Sequence, residues 1–104
     1  MIVTAPAAFR FTYEGDPERH HRAAELLLGK PLPDPGPHSL PDALRDLMRD
    51  VEAPCGVAEL GYSEDDVPAL VEGAMKQQRL LAVAPREVGE EDIAGVISSS
   101  MRNW

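Results

Sequence analysis

The 104 residues predict an all-α fold, a small helical bundle of about four to five helices. Three observations carry that prediction. Apolar residues recur three and four apart in successive segments, those segments open on capping or proline residues and close on Gly or Pro, and no stretch alternates apolar and polar residues over a useful length. With 43% hydrophobic and 27% charged residues, the chain has the composition of one ordinary globular unit. Two Phe, two Tyr and one Trp leave an aliphatic core. Residues 1–104 read as a single helical segment without an internal repeat.

The opening MIVTAPAAFRF has eight apolar residues in eleven and no N-cap before them. As a helix it would be apolar nearly all round, which is how fully buried helices read. As a strand it lacks an obvious partner. The chain reads as though it starts partway through something larger.

GDPERHHRAAELLLG follows, with Asp16 as N-cap, Pro17 at the first helical position and Gly29 where a C′ glycine ends a helix. Ala24, Leu27 and Leu28 form its expected inward stripe, and Glu18 and Arg22 are spaced for an outer ion pair. Residues 31–38, PLPDPGPH, hold four of the ten prolines and form a loop. Ser39 then caps a second helix, with Pro41 tolerated in its first turn. That helix carries Leu40, Leu44, Leu47, Met48 and Val51 at helical spacing and ends before Pro54. Ser63 starts a third, with Val67, Leu70, Val71, Ala74 and Met75 on one face. Residues 79–89 are a connector, and the last helix runs from about Glu90 to Met101 around Ile93, Val96 and Ile97.

Ten Lys and Arg against 18 Asp and Glu give a formal charge of −8, which repels a phosphate backbone and argues against nucleic acid as a partner. No apolar run approaches the roughly 20 residues that span a bilayer, so no membrane partner is expected. The opening lacks the basic flank of a signal peptide. The single cysteine, Cys55, has no intrachain partner and fits a reducing compartment, so a cytoplasmic location is expected.

Two acidic triplets look like chemistry at first sight. In GYSEDDVPALVEGAM, Ser63 at N-cap places Glu64, Asp65 and Asp66 in a first helical turn, with Asp66 at the capping-box position. Carboxylates there meet the positive end of the helix and unpaired amides, worth about 0.3–1 kcal/mol each at an exposed site. The alternating ligands, glycine turn and distal Glu of a calcium loop are missing. Glu90, Glu91 and Asp92 open the last helix in the same way after Gly89.

His20 and His21 are helix neighbours about 100° apart and cannot share one ion. His21 and Glu25 could supply two ligands, with a third required from His38 or another chain. The bland reading, partly exposed helix histidines, is the stronger. Cys55 has no base identified for it, Ser98, Ser99 and Ser100 lie outside any GxSxG elbow, and the glycines are too scattered for a phosphate loop. The residues by themselves describe a helical unit without a visible active site.

The segments IVTAPAAFRFT, PERHHRAAELLLG, LRDLMRDV, GYSEDDVPALVEGAMKQQRLLAVAPREVGEEDI and SSSMRNW, in this order, resemble the C-terminal end of an iron-containing (group III) alcohol dehydrogenase. The branch of the hydroxyacid–oxoacid transhydrogenases is the most similar, and the stretch from GYSEDD to GEED is the most specific. The resemblance implies an all-α domain that in the intact family accompanies a nucleotide-binding domain absent from this chain. It implies a divalent metal (iron or zinc) acting as Lewis acid, and NAD(P) carrying hydride. The family's metal ligands, an Asp and three His, align upstream of Met1. No catalytic, metal or cofactor-binding role therefore passes to His20, His21 or His38. The connector around Leu80 corresponds to a stretch bordering the substrate pocket, which makes Leu80 the candidate lining residue. Inside a helix that begins upstream, MIVTAPAAFRF needs no cap of its own.

The expectation is a C-terminal segment of an oxidoreductase, inactive alone. The alternatives are a half that complements a separate chain carrying the nucleotide and metal sites, and a free-standing interaction module. Self-association through residues 1–11 is the other partner expected.

Overall fold

The computed structural model describes residues 2–77 and 81–104. The described residues form five helices, joined by turns and without strands. A 3-10 turn over Ile2–Thr4 leads into α1, Ala5–Thr12. No side-chain cap closes its start, in keeping with the missing N-cap in the sequence. A second 3-10 turn, Tyr13–Gly15, hands the chain to α2, Pro17–Leu28.

The bounds of α2 follow from its end residues. Asp16 is the N-cap and accepts from the Arg19 amide at 3.3 Å, and Pro17 needs no amide partner at the first position. Gly29 closes the helix in the left-handed region, φ 72°, with its N–H donating to the Glu25 carbonyl at 2.8 Å. Ala24 is fully buried, whereas Leu27 and Leu28 stand largely at the surface. The inward stripe therefore narrows toward the C-terminal turn. The ion pair on this helix runs from Arg19 back to Asp16, at 3.4 Å, rather than from Glu18 to Arg22.

The proline-rich loop precedes α3, Ser39–Asp50. Here the cap differs from expectation: His38 holds the N-cap position, and Ser39 is the first helical residue. The Ser39 hydroxyl faces back, accepting from the Gly36 amide at 2.9 Å, so it braces the loop instead of the helix. Leu40, Pro41, Ala43 and Met48 are buried, but Leu47 and Val51 are exposed.

After a 3-10 turn over Val57–Leu60 comes another at Glu64–Asp66, continuing directly into α4, Val67–Met75. The acidic triplet is thus the tight first turn of the third expected helix. α5, Glu90–Ser99, stops two residues short of Met101. The Ser100 hydroxyl donates to the Val96 carbonyl at 2.7 Å and the chain then departs.

α1 packs against α3 and α5, α2 against α3, and α4 against α5, so α1 joins the two helix pairs. The core at their junction is aliphatic: Val3, Met48, Val57, Val67, Ile97 and Met101, with Met48 fully enclosed. Residues far apart in sequence close it. Asn103 Nδ2 lies 2.8 Å from the carbonyls of both Val3 and Cys55 and donates to them. Val57 and Ala58 amides donate to the Ser100 and Met101 carbonyls at 2.9 and 3.2 Å. The unit is a slab, 40 by 30 by 18 Å along its principal axes.

Candidate functional site

Several concavities mark the described residues, and two of them differ sharply in chemistry. One is a polar cleft of about 520 Å³ between α1, the start of α3, the connector and α5. Its side chains are largely committed to one another. Glu14 sits between two guanidiniums, 2.8 Å from Arg10 and 3.4 Å from Arg86. The hydrogen bond from Arg10 chiefly holds its carboxyl below the usual range, helped by a backbone hydrogen bond and the nearby charges. Arg86 also donates to the Phe11 carbonyl at 2.9 Å and lies over the Phe11 ring at 4.1 Å. Arg45 pairs with Asp42 at 2.9 Å, while its buried Nε has no protein partner.

The lining of this cleft balances Arg10, Arg45 and Arg86 against Glu14, Glu91 and Asp92, so it has no excess charge to draw an ion. Its chemistry is that of a fastening. Arg86 binds the connector to α1, and Gly15 lets the two approach: a Cβ there would fall 2.5 Å from the Pro85 carbonyl oxygen.

The second concavity is apolar, about 720 Å³, and lies between α4 and α5 beside the 3-10 turn of Val57–Leu60. Leu60, Tyr62, Leu70, Gly73, Ile93 and Val96 line it, and among the described residues no charged one does. It has no set of convergent polar groups that would orient a small polar substrate.

The acidic triplets occupy cap geometry. Asp66 Oδ2 accepts from the Ser63 amide and Asp92 Oδ2 from the Gly89 amide, each at 2.9 Å. Glu64 takes a hydrogen bond of 3.1 Å from Ser98, tying the start of α4 to α5. The expected helix-starting role therefore holds for both triplets.

His20 and His21 are accounted for by protein partners. His20 is buried, with Nδ1 2.7 Å from the Asp16 carbonyl and Nε2 2.8 Å from the Thr12 hydroxyl. A carbonyl can only accept, so Nδ1 donates to Asp16 and Nε2 faces the Thr12 hydroxyl. The Phe9 and Tyr13 rings stand edge-on to it, both at 5.9 Å. His21 Nε2 lies 2.7 Å from the Tyr13 hydroxyl. Glu25, the other half of the i, i+4 pair, accepts from the Leu32 amide at 3.3 Å, and His38 lines the polar cleft. Among the described residues no three His, Cys, Asp or Glu converge on a point that could hold a metal ion. Cys55 is buried, its thiol donating to the Trp104 carbonyl at 3.3 Å. Leu80, the expected pocket residue, lies outside the described residues.

Sequence reasoning missed the Arg10–Glu14–Arg86 fastening and the apolar groove. The first joins residues 72 apart, which no local spacing reveals. The second had a weak signal: Gly73 interrupts an otherwise good helix-forming run.

Comparison with known proteins supplies what the geometry does not. Residues 1–101 match the family described as Fe-containing alcohol dehydrogenase family, C-terminal. The chain is 42% identical to the mitochondrial hydroxyacid-oxoacid transhydrogenase of Rattus norvegicus, over 98% of the chain and 22% of that relative. The Bos taurus protein of the same name is 40% identical with the same coverage. A probable mitochondrial hydroxyacid-oxoacid transhydrogenase of Dictyostelium discoideum is 30% identical, over 97% of the chain and 19% of its own length. The chain thus spans about a fifth of the curated relatives it matches. No solved structure matches it.

Proposed function

Since the chain belongs to the Fe-containing alcohol dehydrogenase family, we propose that it is the C-terminal helical part of a metal-dependent alcohol or hydroxyacid oxidoreductase, and that it turns over no substrate by itself. One observation carries this reading: nearly all of the chain matches, while covering only 22% of the rat transhydrogenase. The support from geometry is that both nitrogens of His20, and Glu25 beside His21, already serve the chain's own amides, carbonyls and hydroxyls.

On this reading residues 1–104 act as one unit of the helical domain, and the nucleotide-binding and metal-ligand part of such a protein lies outside them. The metal would supply Lewis-acid polarisation of a carbonyl or alkoxide oxygen from that other part. The contribution of this chain is to complete the helical domain that supports it. No described helix is long and apolar enough to cross a membrane. The buried free thiol of Cys55 suits a reducing compartment, and we place the chain in the cytoplasm, although the named relatives are mitochondrial. Cell fractionation that finds it in an organelle overturns that placement.

The purified chain should neither retain stoichiometric iron or zinc nor exchange hydride between a hydroxyacid or alcohol and NAD(P). Co-expression with the remaining four fifths of the rat relative should restore a metal-containing complex. Elemental analysis and a nicotinamide absorbance assay read both outcomes. Stoichiometric metal together with turnover by the chain alone sinks the proposal.

A further inference from the structure

We infer that a further concavity, a groove of about 590 Å³ between α4 and the start of α5, binds a small organic cation, a primary ammonium head carrying a short apolar tail. The site uses no redox chemistry, so it stands whether or not the proposed function does.

The floor of this groove comes from one stripe of α4. Val67, Val71 and Met75 recur four residues apart, so they stack along a single helix face over about 12 Å. Val67 is buried, while Val71 and Met75 are half-buried and reachable from solvent. Ala94 closes the floor from the α5 side.

Charge gathers at one end. Glu64, just before α4, accepts from Ser98 near the end of α5 at 3.1 Å, and the two helices pack together, so they run antiparallel. The start of α5 therefore lies beside the end of α4, which brings Glu90 and Glu91 toward Glu72. Lys76 is the one base among the described lining residues, so three acids meet one cation. Among the described residues these three carboxylates make no hydrogen bond or ion pair, and neither does the Lys76 ammonium. Asp92, by contrast, is committed to the Gly89 amide. An apolar stripe ending in uncommitted acids complements a molecule that is apolar at one end and cationic at the other. A carboxylate or phosphate would meet like charge there. A second copy of this chain, with its formal charge of −8, would bring more acids to the same end.

The test titrates the whole isotope-labelled chain with n-hexylammonium chloride and follows its amide resonances. Neutral n-hexanol and anionic hexanoate are the comparison probes. Hexylammonium should move the amides of Val71, Glu72, Glu90 and Ala94 saturably, and hexanol should bind about fivefold more weakly, the scale of two exposed ion pairs. Hexanoate should leave these amides in place. Shortening the tail to n-butylammonium should also weaken binding about fivefold or more, from two methylenes left unburied. The double variant Glu72→Gln, Glu90→Gln should lose the advantage of hexylammonium over hexanol, whereas Glu18→Gln on α2 should keep it. An unchanged melting temperature assigns that loss to the site. Raising the salt to about 1 M, where the screening length is about 3 Å, should remove the same advantage without any substitution. Equal binding of the three hexyl probes, saturable shifts confined to other residues, or no saturable shift overturns the assignment. Groove shifts that grow with protein concentration in the absence of any probe put a second copy there, and overturn it as well.

Discussion

Gly56 shows how one missing side chain decides a junction. Its backbone is extended, so any residue could adopt it, but a Cβ would overlap the carbonyl oxygens of Ser100 and Met101. Those same carbonyls accept the Val57 and Ala58 amides, so they cannot retreat without losing both hydrogen bonds. Gly56→Ala should therefore destabilise the chain by about 1–3 kcal/mol, the range for overpacking, read by urea denaturation. Gly36, with open space around it, should accept alanine with little change in the same assay. Glu14 makes a different prediction at this scale. Its folded-state carboxyl is held below the usual range, first by the Arg10 hydrogen bond, so its contribution is present above the unfolded value. The contribution fades as pH falls through the folded value. Stability measured across the acid limb should decline less steeply in Glu14→Gln than in the parent. Equal slopes would show that the Arg10–Glu14–Arg86 set contributes nothing to folding.

Helices were legible where local chemistry fixes their ends. Asp16, Pro17 and Gly29 mark α2 because a cap accepts an amide, a proline needs none, and a left-handed terminus favours glycine. The acidic triplets were readable for the same reason. Asp66→Ala should remove the hydrogen bond to the Ser63 amide and cost about 0.5–2 kcal/mol, measured by thermal or urea unfolding. Asp65→Ala, at a position with no cap hydrogen bond to lose, should cost distinctly less. Other details escaped because a hydroxyl that could cap the helix can also serve the preceding loop. Ser39 looked like the cap, yet its hydroxyl serves the Gly36 amide and His38 takes the position. Periodicity also overstated burial. It shows which face of a helix is apolar, but not whether the chain contains something to cover it. Leu27, Leu47 and Val51 are consequently expected inside and found largely exposed.

At the scale of the molecule, the family was legible and the tertiary fastenings were not. Collinear order over residues 1–101 identifies the fold's relatives without any knowledge of contacts. The contacts that hold the slab together join Arg86 to Phe11 and Asn103 to Val3, separations of 75 and 100 residues. Helical period and turn chemistry act over three to five residues, so they could not pair these groups. The candidate site was less legible still. Local spacing marks no site, and Leu80, the expected pocket residue, falls outside the described residues.

The Asn103 amide, bonded to the carbonyls of Val3 and Cys55, makes the chain very nearly a ring. A ring can be opened anywhere that carries no tension. A short glycine-serine bridge from Trp104 to Met1, with new ends cut between Pro35 and Gly36, should give a permuted protein with the parent's helical circular dichroism and a cooperative melt. If that permutant fails to fold, the order in which the helices are threaded matters, and the seam at Asn103 fastens a sequence of events as well as a shape.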